Sequence, residues 1–272
     1  MLVENRIQKI YCCFPGGKHK VLTMSYDDGK VQDRRLVEIF NKYGIKGTFN
    51  INAGIIGDER RIPFEEYHDL YIGHEVASHT WSHPTIERCP LPLVAQEVLE
   101  DRKKLEKMTG YTVRGLAYPN GSYSKEIMEL LPMLGIRYGR IVGNTDDFKM
   151  PENFLEWKST CHHNHNLIEN GKKFLDLKKT QYLYCMYVWG HSYEFDDKDN
   201  WELIEEFCKM MSGQEDIWYA TNIQIVDYMD VVKNAQFSAD GSFVYNPSAA
   251  SLWLKVNDKE IFEVKGGETK FF

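Results

Sequence analysis

Short apolar runs alternate with helical patterns along most of this chain, and this alternation constrains the fold more than any other feature. The runs are rich in the β-branched and aromatic residues that strands favour. They predict strands at residues 21–26, 47–52, 75–78, 115–118, 137–142, 182–188 and 218–220. Apolar residues at helical spacing predict helices at 33–43, 93–108 and about 201–211. Strands and helices that alternate in this way indicate a parallel sheet, either open or closed into a barrel.

The residues after about 235 follow a different pattern. Asn257-Asp258 separates two runs of alternating apolar and polar residues, and Asp240-Gly241 lies just before them. Dipeptides of this kind are typical of β-hairpin turns. We therefore predict a main α/β domain over residues 1–235 and a small antiparallel β-hairpin appendage over residues 236–272, packed on the same domain.

Composition excludes several classes of protein. The 272 residues are 43% hydrophobic and 27% charged, which excludes a disordered chain. The net charge of −7 and the lack of a long basic run argue against nucleic-acid partners and against an anionic-lipid anchor. The apolar runs are too short for a transmembrane helix, and the N-terminus lacks the apolar region of a secretory signal. We expect a cytoplasmic protein, unless a leader was removed, and the sequence carries no signal for an oligomeric state.

Polar residues follow four of the predicted strands at the point where each strand ends. Asp27 and Asp28 follow the first strand, and His79 and His83 follow the third. Tyr118-Pro119-Asn120-Gly121 follows the fourth strand, and His191 follows the run at 182–188. Adjacent aspartates are common in turns, and paired histidines are common on surfaces. Because the carboxyl ends of parallel strands form one rim, however, their convergence indicates an enzyme.

The histidine spacing is compatible with a metal centre. His79 and His83 lie four residues apart, so both rings can point at one ion. Two imidazoles and one carboxylate leave a divalent ion an open position for water, which is the catalytic arrangement. The six cysteines are scattered without a CxxC pair, so we expect reduced thiols and no cysteine-bound zinc.

Four segments resemble, in order, the motifs of the polysaccharide deacetylases, the NodB-homology domain of carbohydrate esterase family four. The segments are Ser25-Tyr26-Asp27-Asp28-Gly29, Ser78-His79-Thr80-Trp81-Ser82-His83-Pro84, Tyr118-Pro119-Asn120-Gly121 and Gly190-His191-Ser192. The resemblance covers about residues 20–230. It implies a distorted (β/α) barrel of seven or eight mostly parallel strands. It also implies one divalent ion, usually Zn²⁺ with Co²⁺, Ni²⁺ or Mn²⁺ as alternatives, and removal of acetyl groups from N-acetylated or O-acetylated sugars or oligosaccharides.

The resemblance also implies a role for individual residues. Asp28, His79 and His83 would hold the metal ion, and Asp27 would be the general base that takes a proton from the metal-bound water. The backbone N–H of Asn120 would meet the oxyanion, and His191 would be the general acid. Contacts with the substrate are expected from Tyr118, Pro119, Trp157 and Trp189.

The chain departs from the family pattern at the arginine that normally pairs with the base carboxylate. That position is occupied by Ala117. Arg140 lies late in the next predicted strand, close to its carboxyl end, and an inward-facing arginine needs a carboxylate nearby. We therefore predict that Arg140 replaces the missing arginine and pairs with Asp27. The alternative is a structural ion pair with Asp146 or Asp147.

A second departure concerns the acid that orients the general-acid histidine. The corresponding motif is not cleanly present, and its nearest candidates are Asp146-Asp147 and Trp157. Three further histidines form a polar cluster, which we interpret as a loop near the substrate cleft rather than as a second metal site. They are His162, His163 and His165.

Two other functions remain open on the sequence alone. One is a hydrolase of cyclic amides such as ureides, which works on the same fold without a metal; retention of Asp28, His79 and His83 disfavours it. The other is a catalytically silent, carbohydrate-binding relative, for which the missing motif arginine is the only support.

Overall fold

A computed structural model describes residues 8–272, and it contains all seven strands predicted from the sequence. The strands in this part of the chain are β1 (Ile10–Cys13), β2 (Lys20–Asp27), β3 (Gly47–Ile51), β4 (Glu75–Ser78), β5 (Gly115–Ala117), β6 (Tyr138–Ile141), β7 (Trp157–Lys158), β8 (Cys161–His162), β9 (Tyr184–His191), β10 (Ile217–Tyr219), β11 (Gln236–Phe237), β12 (Phe243–Tyr245), β13 (Leu252–Val256), β14 (Glu260–Val264) and β15 (Thr269–Phe271).

The three helices predicted from apolar periodicity are also present, together with others that the sequence analysis missed. The helices are α1 (Asp33–Tyr43), α2 (Tyr67–Leu70), α3 (Leu91–Thr109), α4 (Lys125–Leu130), α5 (Leu167–Leu175), α6 (Glu194–Asp197), α7 (Trp201–Met211) and α8 (Asn222–Asn234). Gly44 and Gly110 end α1 and α3 in the left-handed conformation that glycine adopts without steric cost.

Nine strands form one sheet in which every pair of neighbours is parallel. The order is β7-β6-β5-β4-β3-β2-β9-β8, and β10 pairs with the first half of β2. β7 and β8 lie close together in the chain, and they pair with β6 and β9 at the two ends of the sheet. The sheet therefore curls into the distorted (β/α) barrel that was predicted.

β2 lies near the middle of this sheet and is buried at every residue. Its neighbours β3 and β4 are also buried throughout, as expected for parallel strands covered on both faces. The outer helices pack on them through apolar faces; α1, for example, buries Leu36, Val37 and Phe40. This packing fixes the carboxyl ends of β2, β4, β5 and β9 relative to one another, and the polar residues of the candidate site follow these ends.

The appendage differs from the single hairpin that was predicted, because it contains two small antiparallel sheets. One has the order β11-β12-β15 and the other β1-β13-β14. Asn257 and Asp258 form the β13–β14 turn with φ angles of 52° and 60°, as their sequence indicated. Because β1 pairs with β13, the N-terminal strand belongs to the appendage, and the predicted boundary at residue 235 does not separate the two parts.

Two further expectations concern membrane segments and cysteines. Within residues 8–272, no helix has both the length and the apolar character that crossing a bilayer requires. All six cysteines are free thiols, and four of them are buried.

Candidate metal centre and catalytic site

The barrel brings the predicted site residues together at the carboxyl ends of its strands. Asp27 ends β2, and its Oδ2 lies 3.8 Å from Nε2 of His79 and 3.9 Å from Nε2 of His191. The ligand atoms of Asp28, His79 and His83 all lie within 4.8 Å of one another. Residues from three distant segments therefore share one rim, as the strand-end argument predicted.

The three residues Asp28, His79 and His83 fit a divalent ion. Nδ1 of His79 lies 2.7 Å from the carbonyl oxygen of Ala117, so this nitrogen carries the ring proton and Nε2 keeps its lone pair. Asp28 and His83 have φ angles of 83° and 62°, which are uncommon for residues other than glycine. Backbone strain of this kind is maintained only where the surrounding structure enforces it, and it is concentrated at functional sites. Two nitrogens and a carboxylate form a ligand set typical of catalytic zinc.

A contact that the sequence analysis missed fixes the backbone at Asp28. The side chain of Arg61 donates to the carbonyl oxygen of Asp28. The segment around Arg61 is held against the Asp28 turn, because Val31 N–H donates to Arg60 O at 3.1 Å and Ile62 N–H donates to Gly29 O at 2.9 Å. No sequence pattern indicates this contact, since the loop is joined to the turn only through the fold.

Asp27 is buried and held by two side-chain donors. Asn50 Nδ2 donates to one carboxylate oxygen at 2.8 Å, and the Arg140 guanidinium donates to the other. Burial alone would raise the pKa of Asp27, but Arg140, His79 and His191 together hold that pKa well below its usual range. Asp27 is therefore ionised at neutral pH.

Arg140 lies at the same level of the barrel as Ala117, the position of the missing motif arginine. Its Cα lies opposite that of Ala117 in the parallel ladder between β5 and β6. Arg140 is completely buried, pairs with Asp27 as predicted, and lies with its guanidinium carbon 4.7 Å from the ring centroid of Trp189. The alternative partner Asp146 instead bonds to His165, at 2.9 Å.

The acid that orients His191 is Glu194, which the sequence analysis did not identify. Oε1 of Glu194 lies 2.7 Å from Nδ1 of His191, so the other ring nitrogen faces Asp27. Burial lowers the pKa of His191, but hydrogen bonding to Glu194 and the charges of Asp27 and Asp28 outweigh burial and raise it. The nearest candidates from sequence were wrong: Asp146 bonds to Asn170 and His165, and Trp157 lies in the core.

Glu194 also contacts two histidines of the polar cluster, His162 and His163. His162 Nε2 and His163 Nε2 lie 3.3 Å and 3.2 Å from its Oε2. The backbone N–H of Asn164 donates to Nδ1 of His162 at 3.1 Å, so the ring proton of a neutral His162 sits on Nε2, facing the carboxylate. His162, His191 and Glu194 also have the spacing of metal ligands, and with this tautomer of His162 they form a hydrogen-bonded group. Two members of the cluster, His162 and His163, therefore lie beside His191 through their shared partner Glu194.

Two of the aromatic residues predicted to contact the substrate, Trp157 and Tyr118, are buried, so these two predictions are wrong. Trp157 is 1% exposed and packs against Tyr138, Tyr187 and Phe154, so it is a core residue. Tyr118 is also completely buried, with its hydroxyl donating to a backbone carbonyl at 2.7 Å. Periodicity places such rings on one face of a strand, but it does not distinguish the barrel interior from an open cleft.

Pro119, Asn120 and Trp189 complete the set of predicted residues. Pro119 is buried, and Asn120 follows it in a left-handed conformation with a φ of 56°. The Asn120 side chain donates to Thr85 Oγ1 at 3.1 Å, which fixes the turn. Trp189 is partly exposed, and its Nε1 donates to the carbonyl oxygen of Gly143 at 3.1 Å. Of the aromatic residues predicted to contact the substrate, Tyr118, Trp157 and Trp189, it is Trp189 that is partly exposed.

Part of the chain is similar in sequence to known proteins. A family model described as polysaccharide deacetylase matches residues 15–139. Over 134 residues the chain is 24% identical to the peptidoglycan-N-acetylglucosamine deacetylase PgdA of Listeria monocytogenes, covering 48% of this chain and 27% of that protein. Over 116 residues it is 24% identical to the peptidoglycan-N-acetylmuramic acid deacetylase PdaC of Bacillus subtilis, covering 42% of this chain and 24% of that protein. The matched region thus spans about a quarter of the length of these relatives.

Two solved structures show a similar fold. A crystal structure from Mycobacterium smegmatis, assigned to the polysaccharide deacetylases, aligns with a TM-score of 0.63 at 14% identity, covering 81% of this chain and 93% of that one. A pseudoenzyme of carbohydrate esterase family four from Bacillus anthracis aligns with a TM-score of 0.52 at 14% identity, covering 79% of this chain and 68% of that one. At these identities the likeness concerns the fold, and the chemistry has to be argued from the residues themselves.

Proposed function

The chain is a divergent member of the polysaccharide deacetylase family, and from this premise we propose that it is a metal-dependent hydrolase that deacetylates sugars or oligosaccharides. The observation that carries the proposal is the grouping of Asp28, His79 and His83 beside the ionised carboxylate of Asp27. A metal ligand set next to a positioned base is what hydrolysis of an acetyl group requires.

Asp28, His79 and His83 would hold the ion. When bound, a divalent ion supplies a Lewis acid that polarises the acetyl carbonyl and acidifies water. His79 is oriented for this role by its bond to the Ala117 carbonyl, and Asp28 by the contact from Arg61. These two contacts hold His79 and the Asp28 backbone in place within the proposed ligand set.

Asp27 is proposed as the general base. Its carboxylate is fixed by Asn50 and Arg140, and it accepts the proton that the attacking water loses. The fixed donors restrict the carboxylate to one orientation. The backbone N–H of Asn120 is proposed to donate to the oxyanion that develops on the acetyl oxygen.

His191 is proposed as the general acid that returns a proton to the leaving amine or alkoxide. Glu194 holds the Nδ1 proton, and Nε2 points toward Asp27 and the reacting atoms. The raised pKa of His191 favours the protonated ring, which is the form that a general acid needs.

The alternatives are less well supported. The interpretation as a silent relative rested on the loss of the motif arginine, and Arg140 supplies a cation to Asp27 in its place. The interpretation as a metal-independent cyclic amidase leaves the grouping of Asp28, His79 and His83 unexplained.

Metal content and acetate release test the proposal together. The protein is stripped with a chelator, reloaded with one equivalent of Zn²⁺ or Co²⁺, and assayed on N-acetylated chito-oligosaccharides and O-acetylated xylo-oligosaccharides. We expect acetate release from the reloaded protein and none from the stripped protein. Stoichiometric metal binding without acetate release from either class would contradict the proposed activity, as would full activity without metal.

A further inference from the structure

The segments that follow β2 and β9 remain in contact beyond the ends of these two strands. The last strand residues, Asp27 and His191, lie opposite each other in the parallel ladder. The segment after β2 carries the proposed metal ligand Asp28 and leads into α1, whereas the segment after β9 carries Glu194 and leads into α6. Contacts between the two segments therefore set the position of the proposed general acid relative to the base and the metal ligands.

Asp33, the first residue of α1, makes the buried contact between these segments. Its Oδ1 accepts a hydrogen bond from Oγ of Ser192 at 2.5 Å, and Ser192 directly follows His191 in the chain. The other oxygen, Oδ2, accepts a hydrogen bond from the Tyr71 hydroxyl at 2.8 Å. Asp33 and Ser192 are both completely buried. Because both carboxyl oxygens are bonded in a closed space, the side chain of Asp33 is restricted to one orientation.

A second contact joins the same two segments at the surface. Gln32 Nε2 donates to Oδ2 of Asp196 at 2.8 Å. Two successive residues before and at the start of α1 thus hold the segment after β9 at two points. The buried contact is the stronger of the two, because a buried polar group that loses its partner is not compensated by water.

The position of His191 depends on its backbone as well as on its ring partner. Glu194 fixes the rotation of the ring through the 2.7 Å contact with Nδ1. Ser192 lies between these two residues in the chain, so a shift of its backbone moves both of them. A general acid has to lie within hydrogen-bond reach of the leaving group, and a small displacement slows the reaction. The bond that holds Ser192 therefore bears on proton transfer.

We propose that Asp33 is a positioning residue for the general acid. Its hydrogen bond to Ser192 holds the turn that carries His191 at a fixed place beside the loop that carries Asp27 and Asp28. The inference rests on the proposed deacetylase function and deepens it by naming the group that holds the general acid in place. Asp33 touches neither substrate nor metal in this role, and it acts through Ser192.

Ser192→Ala and Tyr71→Phe form a matched pair, because each removes one hydroxyl group from the same buried carboxyl group. We expect Ser192→Ala to keep the metal and to lower kcat on diacetylchitobiose by about tenfold or more with KM nearly unchanged. On 4-nitrophenyl acetate, whose leaving group needs no proton, the loss should be smaller. Tyr71→Phe should keep kcat within about twofold of the wild-type value, because the Ser192 bond remains. Equal losses in the two variants, or equal losses of Ser192→Ala on the two substrates, would overturn the inference.

Variants at Asp33 test whether the effect passes through this bond. Asp33→Asn keeps an oxygen that accepts from Tyr71 and gains an amide N–H that donates to Ser192, so it should retain most of kcat. Asp33→Ala should show the same loss and the same substrate dependence as Ser192→Ala. The double variant Asp33→Ala/Ser192→Ala should lose no more than the poorer single variant, because both changes remove one interaction. Losses that multiply in the double variant would contradict the proposed route.

The inference and the proposed function fail in different ways. If the metal-loaded wild-type protein releases no acetate, the proposed function is contradicted, and proton NMR then decides the inference. The Nδ1 proton that His191 shares with Glu194 is identified by its disappearance in His191→Ala. Its resonance should shift or broaden in Ser192→Ala and stay in place in Tyr71→Phe. A resonance that is unchanged in both variants, or changed equally in both, overturns the inference.

Discussion

Arg140 and Asp27 form a buried ion pair although their strands, β6 and β2, are separated by three others in the sheet. The pair therefore spans the inside of the barrel. Ala117, which stands where the family has its arginine, lies opposite Arg140 in the β5–β6 ladder. Arg140 thus supplies a cation to Asp27 from the strand next to Ala117, at the same level of the barrel.

Removing Arg140 should cost more stability than removing an exposed arginine. Arg140→Met leaves Asp27 as an uncompensated buried charge, so we expect the free energy of unfolding to fall by about 3–5 kcal/mol. Arg114→Met is the control, because Arg114 pairs with Asp227 at a partly exposed site and such pairs contribute about 1 kcal/mol or less. Urea denaturation of both variants measures the difference.

The double variant Asp27→Asn/Arg140→Met separates the ion pair from packing. We expect it to recover most of the stability lost in Arg140→Met, because the buried charge is gone. If the double variant is as unstable as the single one, the loss comes from packing, and the ion-pair explanation is wrong.

The two adjacent aspartates should differ in their effect on metal binding. Asp28→Ala removes a ligand, so we expect loss of stoichiometric Zn²⁺ and of activity, with the fold retained. Asp27→Asn should keep the ion but lower kcat by about 10²-fold or more, because an amide cannot accept the proton. Metal analysis after dialysis measures both variants, and retention of the ion by Asp28→Ala with loss in Asp27→Asn would reverse the assignment.

His191 should matter most when the leaving group needs a proton. His191→Ala should keep the metal and lower kcat on an N-acetylated sugar by about 10²-fold or more. An aryl acetate, whose phenolate leaves unaided, should lose less activity. The ratio of the two losses is the measurement, and equal losses would exclude the general-acid role.

Glu194 should set the pH range in which His191 is protonated. Burial lowers the pKa of His191, but the hydrogen bond to Glu194, together with the charges of Asp27, Asp28 and Glu194, outweighs burial and raises it. Glu194→Gln should therefore lower that pKa, and the alkaline limb of the kcat–pH profile on an amide substrate should shift to lower pH. Asp146→Asn is a control, because Asp146 bonds to His165 instead. An unchanged limb in Glu194→Gln would contradict this role.

Glu75 should make the folded protein less stable as pH rises. Burial raises the pKa of Glu75 to about 7, above its ordinary value of 4.5, although its carboxylate accepts bonds from Tyr138, Thr48 and Ile223. Between these values the folded state binds more protons than the unfolded state, so stability falls with increasing pH. Glu75→Gln should make this dependence shallower between about pH 4.5 and 7, as measured by urea unfolding; the buried Asp33 and Asp101, whose pKa values are also raised to about 7, supply the remainder. The exposed Glu260→Gln should leave it unchanged.

The sequence predicted the elements whose signals are local. The strands that end at Asp27 and Ser78 are short apolar runs closed by polar residues, and their parallel pairing follows from the helices between them. α8 was missed, although Thr221 and Gln224 form a capping box, which is itself a local signal. This motif therefore predicts the start of α8.

Contacts between distant segments could not be predicted in the same way. Arg61 reaches Asp28 because its loop folds back over the turn, and neither segment carries a pattern that pairs them. Glu194 lies three residues after His191, but the turn that joins them follows a strand and has no helical periodicity that would bring the two together. Arg140 was predictable because its position along β6 and its need for a carboxylate were both visible in the sequence.

The pairing of β1 with β13 has a consequence for how the protein is made. β1 is synthesised before the barrel sequence, and its partner strand β13 only after it. Until then its edge is unpaired, and unpaired strand edges on nascent chains are prone to aggregate. The sheet that joins the two ends of the described chain is therefore expected to form last, and chaperones that shield β1 during translation should improve the yield of folded protein.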